Sequence, residues 1–250
     1  MSGSNTACSR ATPANNSDRL PSATRWDGRV EAWEGVASSP VFNRLATRVL
    51  ELAAIEDGNT VVDLGAGTGL LALPAARTAL EVIAVDYSQP MLDRLAEHAV
   101  AAGLQGITCV RADLREVPIP DAVADIVVSS YAFHHIDDAG KALALAEARR
   151  ILRPGGRLVI CDMMFGLSLR ASDRRIIAGK VGAIARKGPA GLVRIVRNAG
   201  RVATRRWEHP TSPERWRQLL AARRFVDVHV EMIENEAGIA FARRPAEGVA

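Results

Sequence analysis

Hydrophobic residues in this 250-residue chain recur at two periods, and the two periods alternate along it. In the stretch 41–54, VFNRLATRVLELAA, the residues Val41, Leu45, Val49 and Leu52 are separated by four, four and three positions, the spacing of one helix face. Residues 60–64, TVVDL, form a short apolar run that ends on glycines, and a helical pattern follows over 70–79. The same exchange continues through a strand at 81–85, a helix at 88–102, strands at 107–111 and 124–129, a helix at 141–152 and a strand at 157–161. Strands that alternate with helices predict an α/β fold built on a doubly wound, mostly parallel sheet. The rhythm stops at 165–208, a basic, helical-looking segment interrupted at Gly188 and Pro189, which reads as an insertion. A helix from about 213 to 222 follows, and then two strand-like runs, 225–233 and 238–243, that read as a terminal hairpin.

Composition agrees with this pattern. The chain is 48% hydrophobic, but it holds only four Trp and five Phe, so its core is built from Val, Ile, Leu and Ala, as buried parallel strands are. Cys8, Cys109 and Cys161 form neither a CxxC pair nor a His/Cys cluster, so they indicate neither a disulfide framework nor a zinc site, and they fit a reducing compartment. Residues 1–24, rich in Ser, Thr, Asn, Ala and Pro, read as a disordered leader. No apolar run has the length of a membrane span, which predicts a cytoplasmic protein.

Net charge is +4, yet the basicity is local: residues 170–206 hold eleven Arg or Lys and a single acid, Asp173. On a helical wheel Leu192, Ile195, Val196, Ala199 and Ala203 share one side, and Arg194, Arg197, Arg201 and Arg205 the other. Such a helix packs on its own domain, covers a pocket as a lid, or rests on an anionic membrane, so a peripheral membrane contact through 170–206 is one expectation.

The chemistry concentrates at strand ends. Asp63-Leu64-Gly65-Ala66-Gly67-Thr68-Gly69 joins the first strand to its helix, where glycine lets backbone approach a ligand closely. Its spacing is GxGxG, with Leu70 where the dinucleotide fingerprint places its third glycine, and Asp63 precedes the loop. Both features count against NAD. Asp86 ends the second strand, where a carboxylate can accept from both ribose hydroxyls, and Asp113 follows the third. Taken in order, VVDLGAGTG, IAVDYS, RADL, DIVVSSYAFHHI and LRPGGRLVI resemble the class I S-adenosylmethionine-dependent methyltransferases, particularly the branch that includes quinone-biosynthesis C-methyltransferases. The resemblance covers roughly residues 55–163.

That resemblance implies a seven-stranded Rossmann-like sheet with S-adenosyl-L-methionine as cofactor. It implies a site in which Gly65, Ala66, Gly67 and Gly69 border the methionine part while Asp63 steers its amino group or the loop. Asp86 would bind the ribose, Tyr87 and Met91 would flank the adenine, Asp113 would receive its amino group, Leu114 would offer a backbone amide, and Ser129 would lie near the methionine ammonium. It also implies a helical cap over 25–55, in which Trp26, Trp33 and Phe42 shape the acceptor pocket, a core over 56–164, and a closing helix and hairpin over 209–244; between them the basic insertion over 165–208 reads as a lid. His134 and His135, directly after the fourth strand, are the candidates for a general base. With Asp137 and Asp138 they match no standard metal spacing, so no metal is expected.

The expected reaction is methyl transfer to a small or lipophilic acceptor, quinone-like or a lipid precursor. Ser129-Ser130-Tyr131-Ala132 is not the NPPY or DPPY tetrapeptide of amino-directed nucleic-acid methyltransferases, and no Pro-Cys nucleophile is present, so nucleic acid is the weaker expectation. An RNA or protein methyltransferase acting through 170–206, and a non-catalytic cofactor-binding protein, are the alternatives. The sequence does not fix the oligomeric state.

Overall fold

The computed structural model describes residues 8–10, 26–165, 208–234 and 236–248. Its strands are β1 (Cys8–Arg10), β2 (Thr60–Leu64), β3 (Glu81–Asp86), β4 (Ile107–Arg111), β5 (Ala124–Ser130), β6 (Leu152–Met163), β7 (Val226–Glu234) and β8 (Ala237–Arg243). Its helices are α1 (Val30–Ala37), α2 (Pro40–Ala53), α3 (Ala72–Ala75), α4 (Gln89–Ala101), α5 (Asp138–Ile151) and α6 (Pro213–Ala222), with 3-10 turns at Asp27–Arg29 and Phe133–His135. The strands form one sheet in the order β1-β4-β3-β2-β5-β6-β8-β7, parallel except where β8 pairs with β6 and β7. Strand order reverses between β2 and β5, and that switch point is where an open α/β sheet presents its ligand crevice.

Both faces of the sheet are covered. Val62 and Leu64 of β2 join the apolar cluster that includes α5 and α6, while Val61 joins the one built with α2 and α4. Side chains alternate across a strand, so a central strand covered on both faces reads as a continuous apolar run, and all five residues of β2 are buried. The helix starts are written in the sequence: Ser39 caps α2 through the Phe42 amide, Asp137 caps α5 through the Gly140 amide, and Ser212 caps α6 through the Arg215 amide.

Several expectations change. The helix foreseen over 70–79 is the single turn α3, after which the chain closes in turns such as Thr78 N to Ala75 O. The strand foreseen at 157–161 runs over Leu152–Met163, since Leu152 pairs with Ala124 and Met163 with Ala237 beyond the ends of the apolar run. An eighth strand joins the expected seven, and it comes from the stretch read as leader: Cys8–Arg10 lies parallel to β4, with Cys8 opposite Ile107 and Arg10 opposite Cys109. An edge strand held by backbone hydrogen bonds needs no apolar alternation, so its sequence gave no sign of it. Cys109 is disulfide-bonded, against the expectation from cysteine spacing, which sees sequence neighbours and not strands. The basic segment 170–206, with its arginine stripe and its expected lid and membrane roles, lies outside the described residues. No helix among the described residues is long and apolar enough to cross a membrane.

Candidate active site

The loop after β2 is held open by β3. The amides of Gly65 and Ala66 both donate to the Val85 carbonyl, at 2.8 and 2.9 Å, which turns the chain sharply at the sheet's carboxyl edge. Gly65 has φ +79° and Gly67 φ +54°, the left-handed region where L side chains are strained. A Cβ on Gly65 would lie 2.3 Å from the Ala132 Cβ, so the loop and the segment after β5 touch through a bare backbone. Gly69 has a packing role: a Cβ there would meet Leu73 Cγ at 2.7 Å.

Two carboxylates bracket the loop. Asp86 accepts from the Gly67 amide at 2.8 Å and from the Ser88 amide at 2.9 Å, so it braces the glycine turn while also facing the cavity. Burial raises its pKa, and the amides of Ser88, Gly67 and Tyr87 pull the other way. Asp63 is 1% exposed, and neither of its oxygens has a well-formed hydrogen bond; the Ala72 amide gives it only a weak electrostatic contact. Burial, and then repulsion from Asp86, push its pKa from 3.8 to about 8. A buried carboxylate without a partner is costly, and it marks where a cationic ligand group gains most.

These loops enclose a cavity of about 330 Å³. Of the residues singled out in the sequence, Gly65, Gly67, Asp86, Tyr87, Met91, Asp113, Leu114 and His135 line it. Asp113 does so with its oxygens tied to Arg115, at 2.8 Å from Nε and 2.6 Å from Nη2. Burial pushes the Asp113 pKa up, but the Arg115 bonds outweigh it and hold the carboxyl below its usual value. Asp63, Ala66 and Gly69 are not on the wall; Ala66 belongs to the core beneath it.

Ser129 is a correction. Its hydroxyl donates to the Leu64 carbonyl at 2.6 Å inside the sheet, and Ser130, one residue on and therefore on the other face, lines the cavity with its Oγ buried and unbonded. Ser129→Ala is accordingly expected to lower stability by about 1–2 kcal/mol with cofactor affinity unchanged, and Ser130→Ala to do the reverse; thermal melts and calorimetric titration with S-adenosylhomocysteine check the pair.

The histidines separate in the same way. His135 lines the cavity, whereas His134 is buried behind it, its Nδ1 2.6 Å from Asp162 Oδ1 and its amide donating to Asp162 Oδ2 at 3.0 Å. Asp162 also accepts from the Met163 amide. Sequence reasoning missed Asp162, which lies inside an apolar strand run where an acid is itself the signal, and it missed Lys141 and Glu208. Lys141 is fully buried, and its ammonium donates to the carbonyls of Ile136 and His209, stitching the loop after β5 to the segment before α6. Asp137 and Asp138 serve α5 instead of a metal: Asp137 is its cap, and Asp138 pairs with Arg215.

The N-terminal helices close the remaining side. Trp26 and Trp33 line the cavity, and the Trp33 indole lies over Gly67, with Nε1 3.0 Å from where a Cβ would stand. Asp27 accepts from the Ser88 hydroxyl at 2.6 Å and Glu34 pairs with Arg94 at 2.7 Å, so α1 is fastened to α4 across the mouth.

The family model described as "Methyltransferase domain" matches residues 62–160, the span that contains the glycine loop, both acids and the histidine pair. Over that span the chain matches a methyltransferase domain, and its sheet is the Rossmann-like one of such domains. It is 34% identical over 142 residues to a demethylmenaquinone methyltransferase of Thermus thermophilus, covering 54% of this chain and 63% of that one. It is 36% identical over 131 residues to the demethylmenaquinone methyltransferase of Thermobifida fusca, covering 52% and 54%. The chain spans about half the length of the curated relatives it matches. Among solved structures it resembles a SAM-dependent methyltransferase of Aquifex aeolicus, with TM-score 0.59, 17% identity and coverage of 87% of this chain and 98% of that one. It also resembles a phosphoethanolamine N-methyltransferase of Haemonchus contortus solved with S-adenosylhomocysteine, with TM-score 0.64, 16% identity and coverage of 88% and 58%. S-adenosylmethionine is the cofactor of domains of this kind, and Asp86 fits it by facing the cavity at the end of β3; the unbonded Asp63 carboxylate lies buried behind the wall, from where its charge can attract an ammonium held in the cavity.

Proposed function

We propose that this chain transfers the methyl group of S-adenosylmethionine to a planar, lipophilic acceptor of the quinol type. The observation that carries this reading is an unbroken arc of rings beside the cavity. Trp33 meets Phe42 edge-on at 5.6 Å, and Phe42 meets Tyr131 at 4.5 Å. Tyr131 meets His134 at 5.8 Å, His134 meets His135 at 3.8 Å, and His135 meets Trp26 at 4.3 Å. Such rings offer apolar area and a quadrupole on which a flat conjugated molecule stacks. Relatives that act on demethylmenaquinone support the same class of acceptor.

The cofactor supplies an electrophilic methyl on a sulfonium. The protein's own residues align the acceptor behind it and exclude water, and alignment of that kind lowers a barrier by roughly 7–11 kcal/mol. Tyr131 contributes through its backbone: it sits at φ +55° with its amide donating to the Cys161 carbonyl at 2.8 Å, so β6 holds a strained residue and fixes its ring between Phe42 and His134. His135 is the catalytic residue in this reading, since its imidazole faces the cavity where the acceptor hydroxyl must ionise. His134 and Asp162 are positioning residues behind it.

Trp26→Ala is expected to raise the KM for a quinol roughly tenfold while leaving S-adenosylhomocysteine affinity within about twofold, because one stacking wall of the acceptor is lost. Steady-state kinetics on a panel of quinols and non-aromatic alcohols checks it. Turnover of the alcohols alone would reject the proposed acceptor class.

A further inference from the structure

We propose that His134, His135 and Glu208 form a divalent-cation site at the acceptor end of the cavity. One ligand atom from each residue lies within 4.8 Å of the other two, although Glu208 is 73 residues away in sequence from His135. Two imidazoles and one carboxylate are the donor set of catalytic zinc and non-haem iron sites, and three protein ligands leave coordination positions open. His134 is already oriented as a ligand. Its Nδ1 is held 2.6 Å from a carboxylate that is 1% exposed, the carboxylate–histidine pairing that fixes a tautomer and turns Nε2 toward a metal.

The segment that carries Glu208 is tied in place. The His209 amide donates to the His134 carbonyl at 2.6 Å, the His209 carbonyl accepts from Lys141 Nζ at 2.7 Å, and the Thr211 amide donates to the Met163 carbonyl. Glu208 is therefore brought to the histidines by the fold, next to the loop after β5. Lys141 adds like charge nearby, but its ammonium is directed at two carbonyls and is attracted by Asp162. The carboxylates of Asp162 and Glu208 favour a cation.

With His135 on the cavity wall as a ligand of the ion instead of as a free base, an acceptor hydroxyl can occupy an open position on the ion. Its O–H bond then breaks with the proton passing to solvent, the metal–oxygen bond forms, and the bound oxyanion is ready for methyl transfer near neutral pH. That chemical role rests on the quinol reading; the binding of the ion does not.

The test uses the full chain, stripped of metal and titrated with Co²⁺ by visible absorbance and with Zn²⁺ by competition calorimetry. One ion per chain is expected, with affinity lowered about tenfold or more in Glu208→Ala and in Asp162→Asn. Glu208 is exposed, so its variant keeps the fold, and unchanged melting and S-adenosylhomocysteine affinity verify that. Absence of saturable binding, or equal binding by Glu208→Ala, overturns the site. Quinol methylation at the full rate by metal-free enzyme overturns the ion's role and leaves the acceptor reading standing. Metal binding that Glu208→Ala abolishes, with no quinol methylated, supports the site and removes the acceptor reading.

Discussion

Asp63→Asn is expected to stabilise the ligand-free protein at neutral pH and to abolish cofactor binding. In the folded chain the Asp63 pKa is raised from 3.8 to about 8, by burial first and by Asp86 second. A carboxyl raised on folding has its full stability below the unfolded pKa near 4 and loses it as pH rises toward 8, because the unfolded chain releases the proton sooner. Each pH unit in that window costs about 1.4 kcal/mol, roughly 4 kcal/mol by pH 7. Asparagine removes the titration but still buries an amide, so the net gain is about 1–2 kcal/mol at pH 7, visible as a rise in Tm of roughly 3 °C or more that fades toward pH 4. Cofactor binding has the opposite requirement. An ammonium held in the cavity attracts the buried Asp63 charge behind the wall and favours its ionised form, so below pH 8 binding releases a proton, and affinity rises by at most about tenfold per pH unit toward that value. Calorimetry in buffers of differing ionisation heat reads that proton directly. A variant that melts no higher than wild type and binds as tightly would show that the buried charge has neither role.

Gly65→Ala is expected to cost on the order of 3 kcal/mol or more and to weaken cofactor binding at least tenfold. Two effects add: a side chain at φ +79°, and a Cβ 2.3 Å from that of Ala132, an atom fixed to backbone that cannot rotate away. Gly155 separates them. It lies at φ +80°, but a Cβ there meets nothing within 4 Å, so Gly155→Ala bears the conformational strain alone, about 1 kcal/mol. The difference between the two variants in denaturant melts measures how closely the glycine loop and the segment after β5 are pressed together. Equal costs would mean that the contact yields freely.

Much of this was legible from the chain. β2 announces itself as an apolar run because it is buried on both faces, β3 and β4 show buried positions among partly buried ones, and the loop glycines and Asp86 follow because strand ends and turn geometry are local. What stayed hidden was set by tertiary contact. Ser129 and Ser130 are adjacent and chemically identical, and only the pleat decides that the second faces the cavity. Glu208 sits beside a basic stretch with no sign of a partnership with His134 and His135; topology makes it. Cys8–Arg10 carries no strand pattern, since an edge strand is chosen by the exposed backbone of β4. Asp63 was legible as an acid before glycines, but its isolation, and hence its raised pKa, depends on the packing around it.

Incubation with S-adenosylmethionine bearing a deuterated methyl and a demethylated naphthoquinol, followed by mass spectrometry, tests the central claim most directly. Transfer of the labelled methyl to the quinol by the wild-type chain, absent with Asp63→Asn, is the predicted result. A wild-type chain that binds the cofactor yet leaves the quinol unlabelled, or an Asp63→Asn variant that labels it at the same rate, would contradict it.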